Sequence, residues 1–415
     1  MTQNSPAAQR LRWQLPSERA SLAIGIGGLL IAIFLARWHG QLPFEQLVEQ
    51  SARIGSGPDS VPLAPQQALL FYRLTLALTF GLAGITLLLA LGWKRLSEST
   101  RAMIWRATWT LACTTALCLY IFKMTFDGPW APVDVLMSNP GTLPIFGHRL
   151  LFVWFADAIH VIHPSLSPLR CYYISQIVAA FLALYAVGQW SALHVGKALG
   201  SLGQMIAVIL ISSCLTYRNF YDIGVVFFFS CALLALYRRQ YVWFVVIVTV
   251  ATLNHENALL LIPMAAFLLF DSEPRGVWLA VVGSSFVGHV LARAALQHLI
   301  PFEKNLQWTL WGNLTRFFLL PRELAFFVLA LGGWYVLGLM SFSACDKRLR
   351  RLLLLFPMLL GVDLLVGMVN EPRMFNAFIP VLVAVLLAAL QRMAMLERET
   401  RLQSSVVSGG PRLKY

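Results

Sequence analysis

Twelve apolar runs of membrane-spanning length, or close to it, constrain this chain more than any other feature. They cover 20–36, 68–92, 104–122, 170–193, 201–217, 221–237, 241–254, 257–270, 276–294, 323–342, 352–369 and 374–391. A transmembrane helix needs roughly 20 mostly apolar residues. In lipid, each backbone N–H and C=O must find its partner inside the protein, and a helix achieves this within its own segment. The fold expected is all-α: a polytopic transmembrane helix bundle of about 12 spans, a single integral membrane domain over residues 1–415. Composition agrees, with 58% hydrophobic and only 12% charged residues, about half the charge of a soluble domain. So few charges cannot cover a soluble surface, whereas a bilayer removes that requirement.

The formal net charge is +13, from 32 Lys and Arg against 19 Asp and Glu. That surplus could indicate nucleic-acid binding, but its placement argues against it. The cations cluster between apolar runs, as Arg10, Arg12 and Arg19, then Lys94, Arg95, Arg101 and Arg106, then Arg238 and Arg239, then Lys347, Arg348, Arg350 and Arg351. Short basic loops of this kind mark the cytoplasmic side of a membrane protein. With a cytoplasmic N-terminus all of these clusters fall on one side. An even span count returns Arg392, Arg398 and Arg401 there too. The tails, about 1–19 and 392–415, are expected to be short and cytoplasmic, with the first span a retained signal anchor. The six cysteines form no CxxC or Cys/His spacing and are expected as small buried hydrophobes.

Two runs, 241–254 and 257–270, are short and flank Asn254-His255-Glu256-Asn257. They form either a tight hairpin with a polar tip or one long helix with the polar residues buried inside it. The hairpin is preferred, because the long helix would carry the Lys347–Arg351 cluster to the wrong side. The outward loops are long, and one contains 146–163, FGHRLLFVWFADAIHVIH. Too polar to span, it is expected as an interfacial or re-entrant helix.

Ionisable groups at the ends of spans are costly and therefore functional candidates. His255 and Glu256 are the sharpest. Asparagines at that turn suffice to cap two helix ends, but capping does not require an imidazole beside a carboxylate, a pair suited to general-base work. Arg218 and Asp222 stand four apart in YRNFYD, either as an ion pair at the membrane edge or with the guanidinium holding a phosphate. Glu371 and Arg373 flank Pro372, and Arg149 opens the interfacial segment. Asp157, His160 and His163 share a helical face, which suits an interfacial polar face better than metal ligation. No metal site is assigned and no cofactor is firmly implied, a divalent metal staying open.

Asp127, the HRLL of Arg149, YRNFYD, TLNHENALLLIP and NEPRMFNAFIP occur in that order over roughly residues 120–385. This order resembles bacterial polytopic membrane glycosyltransferases of the GT-C kind, which often carry an Asn-Arg-Glu-Thr version of the hairpin and a Glu-x-Arg before a Pro-containing closing span. Here His255-Glu256-Asn257 stands in place of Arg-Glu-Thr, so the carboxylate is kept and the guanidinium is not. The resemblance implies transfer of a sugar from a polyprenyl-phosphate-linked donor to a glycan or lipid acceptor, by an inverting displacement on the outward side. On that basis Asp127 is the first choice for the base and Glu256 the second. Arg149, Arg218 and Arg373 would bind phosphate, with Asp222, His255 and Glu371 beside them. The expected setting is the bacterial inner membrane, with membrane lipids as partners and no nucleic acid. Rival readings are an O-antigen-type polymerase or ligase, a lipid-linked sugar transporter or flippase, and a structural subunit.

Overall fold

The computed structural model describes residues 80–87, 95–126, 150–214, 222–300, 333–359 and 372–408, with scattered positions between 22 and 33 and at 311, 315 and 361. Every element among the described residues is helical. The principal helices are α1 (Glu98–Phe126), α2 (Leu151–Ile162), α3 (Pro168–Val195), α4 (Lys197–Cys214), α5 (Asp222–Tyr237), α6 (Tyr241–Asn254), α7 (Leu261–Leu269), α8 (Arg275–Leu299), α9 (Gly333–Met340), α10 (Lys347–Leu353) and α11 (Ile379–Ser408). Two 3-10 turns, Glu256–Leu260 and Pro372–Phe378, lead into α7 and α11.

Three helical stretches among the described residues are long and apolar enough to cross a membrane: Arg170–Val195, Arg275–Leu299 and Phe375–Glu397. Five further apolar helices are shorter, among them α5, α6 and the stretch from Glu256 to Leu269. Apart from Leu151–Ile162, which falls in the 146–163 segment expected as an interfacial or re-entrant helix, these coincide with expected runs, while half or more of 20–36, 68–92, 323–342 and 352–369 falls outside the described residues. Two helices also outrun their apolar segments. α1 starts at Glu98, where the Ser97 hydroxyl accepts the Thr100 N–H at 3.2 Å and caps it. α11 continues to Ser408, because ERETRLQ is built mainly from good helix formers.

A small apolar cluster of Val153, Ala156, Cys171 and Tyr172 joins α2 to α3, and the main core is an apolar cluster running from Cys113 to Leu387. α5 lies at its centre, with nearly its whole circumference buried, as expected of a helix that is apolar all round. α3 is also interior, 61% of its apolar stretch buried, whereas α8 buries only 28% and turns Leu279, Phe286 and Leu291 outward. Several hydroxyl groups inside the bundle are satisfied locally. Thr108, Thr110, Thr114, Thr115, Ser230 and Thr252 each donate a hydroxyl to a carbonyl one turn back in their own helix. Small residues let helices close up: a Cβ on Gly200 would lie 2.7 Å from the Gly188 carbonyl oxygen, so α3 and α4 meet backbone to backbone. Across the bundle, the Trp190 indole N–H donates to the Pro380 carbonyl at 2.8 Å, fastening α3 to α11.

The hairpin expectation holds. α6 ends where His255 turns extended, at φ −161 and ψ 142, and the chain returns through the 3-10 turn into α7. The far ends meet again, with Tyr241 at the start of α6 beside Leu268 and Leu269 at the end of α7. The bundle therefore has two distinct ends. One carries the starts of α5 and of the 256–260 turn and the end of α6. The other carries the connections at Arg238–Gln240 and Phe270–Pro274 and the segment around Asp346, joined by ion pairs of Arg239 with Glu273 and of Lys347 and Arg351 with Asp271. The basic clusters of 238–239 and 347–351 thus share the second end, as their spacing between apolar runs predicts.

Candidate functional site

The first end is where separate polar motifs converge. Asp222 opens α5 with its side chain 2% exposed, and His255, equally buried, follows the last residue of α6. The His255 Nε2 lies 3.8 Å from Asp222 Oδ1, and its Nδ1 lies 3.7 Å from Glu256 Oε2. Both separations exceed hydrogen-bond length, so the imidazole and the two carboxylates are charge neighbours. Glu256 itself is 42% exposed. The arrangement is one accessible carboxylate backed by a buried imidazole and a buried carboxylate.

The histidine tautomer follows from one contact. The Asn257 backbone N–H donates to His255 Nδ1 at 3.1 Å. That nitrogen must then carry a lone pair, so the neutral ring holds its proton on Nε2, facing Asp222. The ring thereby caps the 3-10 turn, a role the sequence assigned to the asparagines. Asn254 does something else. Buried at 1%, its amide lies against Gly224, where a Cβ would come 2.7 Å from its Oδ1 and would also strike the Phe152 ring. Only glycine lets α5 approach α6 and α2 this closely.

Two further segments reach the same place. The Leu150 N–H donates to the Leu253 carbonyl at 3.1 Å, tying the residue after Arg149 to the end of α6. The 372–378 turn packs against α5, α4 and the 256–260 turn. Its Phe375, Asn376, Ala377 and Phe378 are buried, and the Asn376 amide has no hydrogen-bond partner among the described residues. Of the sequence-predicted residues, Asp222, His255 and Glu256 therefore come together. Arg373 belongs to the adjoining turn, its side chain outside the described residues, as are Asp127, Arg149, Arg218 and Glu371. Whether Arg218 pairs with Asp222 lies outside them too; His255 is the described charge neighbour of Asp222.

Three polar residues of α8 escaped the sequence-based candidates. Ser285, His289 and Arg293 stand at intervals of four on the face that packs on α6. The Thr252 hydroxyl donates to the Val248 carbonyl, so its oxygen receives the His289 Nδ1–H at 2.9 Å. α6 and α8 run in the same direction, which puts Arg293, one turn beyond His289, level with the 256–260 turn that packs on α8. Its Nη1 is buried and has no acceptor among the described residues. The polar stripe was visible as Ser-x3-His-x3-Arg in an otherwise apolar run, but averaging over the run conceals it.

Among the described residues, no three His, Cys, Asp or Glu side chains stand close enough to hold a metal. In the trio Asp157, His160 and His163, the His160 Nδ1–H instead donates to the Leu166 carbonyl at 2.8 Å, fastening the end of α2. No protein-family model, curated protein or solved structure matches this chain.

Proposed function

We propose that this chain is a multi-pass glycosyltransferase of the bacterial inner membrane. In this reading it moves a sugar from a polyprenyl-phosphate carrier to a glycan or lipid acceptor for cell-envelope synthesis. The observation that carries the reading is the convergence of Asp222, His255 and Glu256 with the 372–378 turn, at the end opposite the basic loops. The basic end would face the cytoplasm and the site the periplasm.

Each residue has a chemical task. The acceptor hydroxyl oxygen attacks the anomeric carbon as the bond from that carbon to the phosphate oxygen breaks, and polyprenyl phosphate leaves with the electron pair. Glu256, the exposed carboxylate of the cluster, takes the hydroxyl proton. His255 and Asp222 set its position and field. Asp127 is the alternative base from the sequence. Arg293, whose buried Nη1 has no acceptor among the described residues, is suited to the negative charge that builds on the departing phosphate, with Arg373 on the neighbouring turn.

The test is a transfer assay with full-length protein in lipid nanodiscs, a polyprenyl-phosphate hexose as donor and a panel of glycan and lipid acceptors. Glu256→Gln and Asp127→Asn are compared with the parent chain. Loss of transfer in either variant supports the assignment. Full transfer in both removes it, and no transfer by the parent with any donor overturns the transferase reading.

A further inference from the structure

A cleft lies at the basic end, between the α5–α6 connection and the end of α7, remote from the cluster just described. Tyr237, Arg239, Glu273 and Arg348 line it over a floor that includes Leu268 and Leu269. Its polar groups are unequally committed. Glu273 is nearly buried and engaged by Arg239 at 3.2 Å, so its charge is spent. Arg348 rests its guanidinium over the Tyr237 ring, 5.4 Å from the centroid, and has no acidic partner among the described residues. The Tyr237 hydroxyl is buried and has no hydrogen-bond partner among them either. Arg348 and Tyr237 thus line one cleft together with Tyr241 and the Arg239-bound Glu273, and a buried phenol O–H without an acceptor among the described residues is rarely left so.

We propose that this cleft binds the phosphate headgroup of an anionic phospholipid. A phosphate supplies the missing acceptors, matching the planar fork of Arg348 and the single donor of Tyr237. The lipid, and not a soluble phosphate, is indicated by the surroundings. The cleft has a leucine floor, and outward-facing apolar residues flank it at the same end: Val242 and Trp243 on α6, and Phe270 just after α7, are 78%, 63% and 69% exposed. Aromatic residues beside a basic cluster belong at the water–lipid boundary, where basic pockets between helices take anionic headgroups. This proposal needs the membrane placement of the bundle but not the transferase reading, so either can fail alone.

Native mass spectrometry of the full chain, released from nanodiscs of mixed phosphatidylglycerol and phosphatidylcholine, tests it. Phosphatidylglycerol should be retained about tenfold over phosphatidylcholine, at one saturable site, and Arg348→Gln should abolish that preference. Tyr237→Phe, which keeps the ring that Arg348 stacks on, should weaken retention several-fold while leaving the fold intact. Arg275→Gln, at the same end but outside the cleft, should change nothing. Equal retention of the two lipids, or a preference untouched by Arg348→Gln and Tyr237→Phe, overturns the proposal. So does displacement of the lipid by millimolar inorganic phosphate, which would make the site one for a soluble anion.

Discussion

The two ends of the bundle handle charge in opposite ways. At the basic end charges close on one another near the surface: Arg239 with Glu273, Lys347 and Arg351 with Asp271, and Asp346 with the Leu349 N–H at 2.7 Å, capping α10. At the other end Asp222, His255 and Glu256 are gathered from two helices and a turn, and stay 3.7 to 3.8 Å apart. Exposed pairs contribute little, about 0–1 kcal/mol each, whereas burying a carboxylate beside an imidazole costs stability unless something else is gained. A buried imidazole and carboxylate beside a half-open Glu256 are what a reaction site requires. An arrangement that is closed and superficial is what anchoring a helix bundle at a membrane surface requires.

The largest effect that follows concerns Glu256. Replacing it with Gln preserves shape and removes the proton acceptor, so transfer should fall by roughly 100-fold or more. Thermal unfolding should hardly change, because the side chain is 42% exposed. If the variant unfolds as readily as it loses activity, the first end is structural like the second, and the contrast disappears.

Much of this contrast was legible in the sequence. Apolar runs gave the helices, charge placement gave the two ends, and four consecutive polar residues gave the hairpin tip. What escaped is non-local. Nothing in YRNFYD says that Asp222 meets the imidazole of a distant turn, because that contact depends on how closely α5 approaches α6. That distance is set by Gly224, an unremarkable glycine until Asn254 and Phe152 are found against it. The capping role passed to His255 for a similar reason: its extended backbone aims the ring at the Asn257 N–H, and extended geometry at one residue cannot be read from composition. Arg293 escaped because an isolated arginine near a span end resembles a snorkelling side chain until its Nη1 is found buried.

Gly224→Ala is the next largest test. The added methyl has no room, so stability should drop by about 1–3 kcal/mol, seen as a lower midpoint in a thermal melt, and activity should fall with it. A neutral outcome would mean that α5 and α6 approach less tightly than the site requires. Arg293→Gln should be smaller and purely functional: about a tenfold loss in kcat/KM for the lipid-linked donor, with the melt unchanged or slightly improved because a buried Nη1 without an acceptor among the described residues is removed. An unchanged kcat/KM would return Arg293 to an incidental role.

The smallest effect belongs to the basic end and has a pH signature. Burial alone would raise the Asp346 carboxyl, but the His194 ring 3.6 Å away and the Leu349 N–H outweigh it and hold the group below the ordinary 3.8 of an aspartate. A carboxyl depressed in the folded state contributes stability at pH values above its unfolded value, and that contribution is lost as pH falls through the lower folded value. Melts should therefore be insensitive to this group from neutral pH down to about 4 and weaken only below that. Asp346→Ala should reduce the acid-side slope, part of which stays with Asp271, and cost about 1 kcal/mol at neutral pH through the lost cap. The half-exposed position keeps the ion-pair share small. Transfer activity should be untouched, since the substitution acts at the opposite end from Glu256. If Asp346→Ala lowers activity at constant stability, the two ends are coupled through α3 and α5, and closure at the basic end would then be part of the reaction cycle.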